Sequence, residues 1–242
     1  MPRNKQRFVV LVDLDAFYAS VEMVEDPNLL GKPLLIGGSP TGRGVVAAAS
    51  YEAREFGCHS AMAMARALRL CPKAVILQPN LQLYHKYSQQ VMDILRCESE
   101  LIEQMSIDEA YIELTSIVDS MAEAEGLAHR MQGRIRVEMG LPCSVGLASN
   151  KIVAKVACET GKPRGFVLVQ AGEEAAFLST LEVRKLPGIG PKSTQRLQAI
   201  GLETLGQIAN APITTLTRVL GPWGAVIQQR ARGEDPSPVS TS

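Results

Sequence analysis

The sequence predicts an α+β fold followed by an all-helical C-terminal part, on three observations. Arg7 to Asp13 (RFVVLVD) is an unbroken apolar run ending in a carboxylate, the pattern of a strand buried on both faces. Up to Val169, short apolar runs alternate with amphipathic stretches of helical period. After Gln170 the strand pattern stops, and short helical stretches separated by Gly and Pro take over, which marks a domain boundary near residue 170. A chain of 242 residues, 46% hydrophobic and 21% charged, suits one or two domains with a buried core; it excludes a disordered tail, a collagen-like fibre and a coiled coil.

Taken in order, the Arg7–Asp13 strand presents its C-terminal end to a site, so chemistry is expected to start at Asp13. Leu34–Gly37 and Val45–Ala49 are short strands bounded by glycine turns, and Tyr51–Gly57 and Ala61–Leu70 favour helix, the latter stopped by Pro72. Ala74–Leu77 is a brief strand. Leu81–Cys97 carries apolar residues at Leu83, Tyr87, Val91, Ile94 and Leu95, spaced as one helix face. Leu101–Met105 and Tyr111–Leu114 flank Ser106-Ile107-Asp108-Glu109 and predict a hairpin with two adjacent carboxylates at its turn. Ala122–Met139 reads as a second amphipathic helix, Cys143–Ala148 as a strand, and the next stretch as a helix capped by Ser149 and ended by Gly161. Gly165–Val169 is the last strand. Beyond the boundary, Leu186–Lys192 is a tight turn with Pro191 at the first position of a following helix, which predicts a helix-hairpin-helix. The Pro/Ser-rich end, Asp235–Ser242, reads as a linker.

The formal net charge is zero, which taken alone argues against a nucleic-acid partner, but the charges are segregated. Glu98–Glu125 holds nine acidic residues and no Lys or Arg, whereas Arg130–Arg164 holds seven basic residues against two acidic ones. Two opposite patches are expected, one for cations and one for phosphates. The five cysteines are scattered, with no C-x-x-C pair, so they read as buried thiols and not as a zinc cage or a disulfide framework. His59, His85 and His129 have no metal spacing, and Trp223 is expected in the helical core. No apolar run reaches the roughly 18 to 20 residues that span a bilayer, and no cleavable leader is recognised, so a cytoplasmic protein without a membrane partner is expected.

Asp13, Asp15, Asp108 and Glu109 gather four carboxylates at sheet edges. Such acids either cap turns in solvent or are held together by hard divalent cations, and an all-oxygen donor set selects Mg²⁺ or Mn²⁺ over zinc. The elements around them decide between the two. Val12-Asp13-Leu14-Asp15-Ala16-Phe17-Tyr18-Ala19-Ser20-Val21-Glu22, Ala49-Ser50-Tyr51-Glu52-Ala53-Arg54, Ser106–Tyr111, Ser149-Asn150-Lys151 with Ala154-Lys155, and Lys162-Pro163-Arg164-Gly165 together resemble the Y-family translesion DNA polymerases, in particular the DinB branch. The match runs in order over about residues 7 to 235.

The resemblance implies a right-hand polymerase: a mixed and antiparallel-sheet palm (1–16 and 80–169), a small fingers insertion (17–79), a helical thumb with the helix-hairpin-helix (170–234), and from 235 the start of a linker to a further C-terminal domain. It implies template-directed, low-fidelity extension of a primer, with dNTPs and primer–template DNA as partners, a monomer, and a sliding clamp reached through sequence beyond residue 242. Two Mg²⁺ ions, for which Mn²⁺ substitutes, would be held by Asp13, Asp108, Glu109 and the backbone carbonyl of Leu14. Tyr18 corresponds to a ring that excludes a 2′-hydroxyl, with Phe17 beside it. Tyr51, Arg54 and Lys162 would meet the triphosphate, and Gly188, Ile189, Gly190 and Lys192 a DNA phosphate. Lys151 and Lys155, four apart, share a helix face that follows DNA or pairs with acids. Other readings of the same residues are a catalytically silent DNA-binding helper, another palm-fold enzyme such as a nucleotide cyclase, and a bare helix-hairpin-helix module.

Overall fold

The structure is a computed structural model that describes residues 6–241. Its first strand, β1 (Val9–Leu14), is buried along its whole length, as an uninterrupted apolar run requires. The chain then turns through Ala16, which adopts a left-handed φ of 44°, into α1 (Phe17–Glu25), a helix the sequence reading did not anticipate. β2 (Leu34–Gly37), β3 (Val46–Ala49), α2 (Tyr51–Glu55), α3 (Met64–Leu70), β4 (Val75–Leu77) and α4 (Leu81–Arg96) follow. α3 starts later than its propensity suggests, because Ala61 has φ 66° and its N–H bonds back to Val46. Then come β5 (Ile102–Gln104), β6 (Glu109–Glu113), α5 (Met121–Met139), β7 (Cys143–Ala148), α6 (Lys151–Gly161) and β8 (Phe166–Leu168). The helical remainder is α7 (Glu174–Ser179), α8 (Pro191–Gln198), α9 (Leu205–Asn210), α10 (Ile213–Leu220) and α11 (Trp223–Ala231). The predicted α+β class, with helices alone after residue 170, holds. Among the described residues no helix is long and apolar enough to cross a membrane.

Two compact units divide the chain. One contains β1 up to Asp13, then Leu95–Gly133 and everything from Ser144 on. Its five-stranded sheet has the order β5-β6-β1-β7-β8, antiparallel between β5, β6 and β1 and parallel between β7 and β8. α6 packs on it unusually closely. A Cβ added to Gly146 on β7 would lie 2.0 Å from the Ala154 carbonyl oxygen, so only glycine lets the helix approach there. The cluster of Val9, Leu11, Tyr111, Val153, Val156 and Ala157 continues without a break into Leu178, Leu197, Leu205, Leu216 and Ile227 of the C-terminal helices. The end of the chain joins the same cluster. Val239 is 6% exposed, the Ser237 carbonyl accepts from Arg7 at 3.1 Å, and the Ser240 N–H donates to Glu103 at 3.0 Å. The segment read as a linker therefore lies docked, held by one apolar anchor and two hydrogen bonds.

The other unit contains Leu14–Ile94 and Arg134–Cys143. Its three-stranded sheet has the order β3-β2-β4 and its own core of Leu35, Val46, Ala53, Met64 and Ala67. α4 buries Val91, Ile94 and Leu95 of the predicted face, with Tyr84 and Ser88 in place of Leu83 and Tyr87, which lie half-buried at its margin. Two further expectations fail. Trp223 is 64% exposed, because as the first residue of α11 it precedes the turn that packs. Cys97 is exposed while the other four cysteines are buried, since α4 ends one residue before it.

Candidate active site

β1 and β6 pair with Asp13 opposite Glu109, which puts two carboxylates side by side where the strands end. Asp108 sits in the tight turn just before β6. The Met105 and Ser106 N–H groups both donate to the Glu109 carbonyl (2.9 and 3.3 Å), and Ser106 Oγ donates to Asp108 Oδ1 at 2.5 Å. Three carboxylates so placed repel one another, and the opposing charge comes from lysines. Lys162 Nζ lies 2.8 Å from Asp13 Oδ2 and 2.7 Å from Glu159 Oε1. Lys155 Nζ lies 2.5 and 2.6 Å from the two oxygens of Glu109.

Burial pushes the Asp13 carboxyl up to about 6 despite Lys162, with the charges of Glu159 and Asp108 adding to the rise. Burial alone would lower Lys162, but Asp13 and Glu159 hold it above the ordinary lysine range, so it remains an ammonium. Both lysines owe their place to α6 and its end. The helix is capped by Asn150, whose side-chain oxygen accepts from Val153 N–H at 3.0 Å; predicted cap Ser149 instead donates to Glu174 at 2.5 Å. Asn150 takes the capping role because its amide also donates to the Gly233 carbonyl at 2.8 Å and is thereby fixed. Lys151 of the same face pairs with Glu103 at 2.7 Å and lies over the Tyr111 ring. So both lysines pair with acids, the second of the two roles open to them.

Among the described residues, no three His, Cys, Asp or Glu side chains stand close enough to hold a metal ion. The fit to a cation rests on the chemistry of the donors: carboxylate oxygens with no nitrogen or sulfur among them suit Mg²⁺ or Mn²⁺. Asp15 plays a different part. It is 1% exposed, its N–H donates to the Pro142 carbonyl at 3.0 Å, and its carboxylate accepts from Tyr51 Oη at 3.1 Å, so it braces the scaffold.

Within the second unit the predicted nucleotide contacts fall into two groups. Leu14, expected as a backbone metal ligand and not as a nucleotide contact, ends β1 and is buried. Phe17 is 3% exposed and Tyr18 half-buried, both at the start of α1. The Tyr18 ring stacks on Tyr84 at 4.2 Å with 14° between planes, and Phe17 leans on both. Tyr84 is fully buried, and its hydroxyl donates to Glu22 at 2.6 Å. Burial and that bond to a carboxylate raise its pKa and keep it neutral. Sequence reasoning missed Tyr84; the one signal for it was an aromatic in the buried stripe of α4. In the second group, the Arg54 guanidinium lies 4.6 Å from the centre of the Tyr51 ring and its Nε donates to the Ala49 carbonyl at 3.0 Å, so the two side chains share a face as their spacing implies.

The hairpin of the C-terminal helices is asymmetric: a single 3₁₀ turn (Val183–Lys185) stands where a first helix was expected, before α8. Gly188 takes φ 99°, and Gly188, Gly190 and Lys192 are exposed. Ile189 is not: its side chain is 7% exposed in the core and its N–H donates to the Leu186 carbonyl at 3.1 Å, so it anchors the turn and offers no donor outward.

Two family profiles match the chain, impB/mucB/samB over residues 12–159 and the IMS family HHH motif over residues 171–202. A DNA polymerase IV of Dehalococcoides mccartyi strain CBDB1 is 45% identical over 233 residues, 96% of this chain and 60% of its own length. A DNA polymerase IV of Neisseria meningitidis serogroup B is 39% identical over 96% of this chain and 73% of its own length. The chain thus spans about 60% of the first of these relatives. DinB from Sulfolobus solfataricus superposes with TM-score 0.91 at 31% identity, over 96% of this chain and 69% of its own, and Dbh DNA polymerase in an insertion ternary complex with TM-score 0.89 at 31% identity over the same shares. On these matches the chain belongs to the impB/mucB/samB family and carries the core of a Y-family, DinB-like polymerase.

Proposed function

We propose that the protein is a template-directed, low-fidelity DNA polymerase for translesion synthesis, which adds dNMP to a primer 3′-hydroxyl and releases pyrophosphate. The observation that carries this reading is the cross-strand pairing of Asp13 with Glu109 beside Asp108, in a chain whose relatives are named DNA polymerase IV. Residues 1–16 and 80–169 serve as palm, 17–79 as fingers and 170–234 as thumb. Its substrates are dNTPs and primer–template DNA, and it acts as a monomer.

Asp13, Asp108, Glu109 and the Leu14 carbonyl would hold two Mg²⁺ ions, which supply Lewis-acid stabilisation of charge on the phosphates. In the reaction the primer 3′-oxygen forms a bond to the α-phosphorus, the bond from that phosphorus to the oxygen bridging the β-phosphate breaks so that pyrophosphate leaves, and the 3′-hydroxyl proton passes to water. Lys162 and Arg54 bind the triphosphate, Lys162 as a point charge that stays protonated and Arg54 as a planar fork. Tyr18 excludes a ribose by its ring, which the stack on Tyr84 keeps from yielding. The exposed Gly188, Gly190 and Lys192 grip a DNA phosphate through backbone donors without reading sequence, while Ile189 anchors their turn.

Primer extension with single dNTPs and with rNTPs, under Mg²⁺ and under Mn²⁺, tests the reading. Extension is expected to follow the template, to vanish in Asp108→Ala and to admit rNTPs in Tyr18→Ala. DNA binding without extension under either metal would rule the reading out.

A further inference from the structure

Among the described residues the acidic and basic stretches are joined by three ion pairs: Arg130 with Glu98 at 4.0 Å, Lys151 with Glu103 at 2.7 Å, and Lys155 with Glu109 at 2.5 Å. The first is wide, with Arg130 exposed and Glu98 half-buried. The second belongs to the docking of the C-terminal segment, since Glu103 also accepts from Ser240. The third involves a carboxylate of the catalytic set. Lys155 Nζ is within hydrogen-bond distance of both oxygens of Glu109, so no oxygen of that group is left without an ammonium contact.

A carboxylate bound this way must loosen its ammonium before it can ligate a cation, while without any counter-charge it would stand beside Asp13 and Asp108 as an uncompensated, mostly buried anion. Lys155 is suited to both demands. Its backbone is fixed on α6, where Gly146 admits the helix to the sheet, and its side chain is 28% exposed, so the ammonium can rotate on its four-carbon stem into water. We propose that Lys155 is a built-in counter-ion of Glu109, which holds the carboxylate in place in the metal-free protein and competes with divalent cations for it, so that this one residue sets the cation affinity of the site. The proposal rests on the reading of Asp13, Asp108 and Glu109 as the cation-binding set.

The test is Mn²⁺ binding to the protein alone, without DNA or nucleotide, followed by the electron paramagnetic resonance signal of free Mn²⁺ and by thermal denaturation. Lys155→Met and Lys155→Gln are expected to bind Mn²⁺ about 3- to 10-fold more tightly than the native chain, the span of a partly exposed ion pair. Their metal-free melting temperatures are expected to fall, and saturating Mn²⁺ to recover most of the loss. Lys155→Arg, which keeps the charge, is expected to stay within about 2-fold of native, well inside one ion pair's worth. Unchanged or weaker Mn²⁺ binding in both uncharged variants, or tighter binding in Lys155→Arg, would overturn the counter-ion role while Asp108→Asn still lost Mn²⁺. If Asp108→Asn bound Mn²⁺ like the native chain, the cation-binding set itself would be wrong, and the counter-ion role with it.

Discussion

Tyr84 shows how one buried side chain can govern an exposed one. Its ring is the base on which Tyr18 stacks, and its hydroxyl is tied to Glu22. Tyr84→Ala should cost about 3–5 kcal/mol in urea denaturation, the usual loss for a fully buried aromatic, and should relax discrimination against rNTPs together with stability. Tyr84→Phe keeps the ring and loses only the bond to Glu22, so it should cost about 1–3 kcal/mol and leave discrimination near native. If the two variants relaxed discrimination equally, the stack would not be what positions Tyr18. Cys97 offers a simpler check at the same scale. It is the exposed thiol of five, so a thiol reagent should titrate one equivalent in the folded protein and five in denaturant.

At the scale of elements, the decisive contact is α6 against β7. The Cβ of Gly146→Ala would lie 2.0 Å from the Ala154 carbonyl oxygen and 2.6 Å from the Cys158 nitrogen, backbone atoms that cannot move singly. The helix must shift as a body, carrying Lys151 and Lys155 away from Glu103 and Glu109. A loss of at least about 1–3 kcal/mol is expected, a drop of several degrees in melting temperature for a chain of this size. The start of the same helix illustrates what local sequence can and cannot say. Ser149 and Asn150 are both good caps by residue type, and a shift of one residue is within what pattern alone allows. The choice fell to Asn150 through its bond to Gly233, a residue 83 positions away. The hairpin Ile102–Glu113, by contrast, was legible, because alternation and turn residues are local properties.

For the whole molecule, the acidic and basic segments of the sequence meet in part, through Lys151 with Glu103 and Lys155 with Glu109. Glu103 joins this pairing to the docked C-terminal segment. Burial works to raise its carboxyl, but the bonds from Lys151 and from Ser240 outweigh it and hold it below the ordinary 4.5. A carboxyl lowered on folding stabilises the fold fully above about pH 4.5, and that stabilisation is lost as pH falls through its folded value. Denaturation midpoints measured from pH 7 down to pH 3 should therefore decline more steeply for the native chain than for Glu103→Gln, in which this carboxyl no longer titrates. Parallel curves would show that the clasp contributes nothing to the acid response.

Much of the site was legible by itself in the chain: β1 from an apolar run, the carboxylates from their places at its end and in a hairpin, and the family from five motifs in order. Those are properties of neighbouring residues, set by strand and helix periodicity and by turn chemistry. What the tertiary structure decided was which charges face which. Lys155 meets Glu109 across 46 positions and Lys151 meets Glu103 across 48, and no local period encodes either meeting. They exist because a glycine lets a helix lie close to a sheet and because buried charges must find opposite ones.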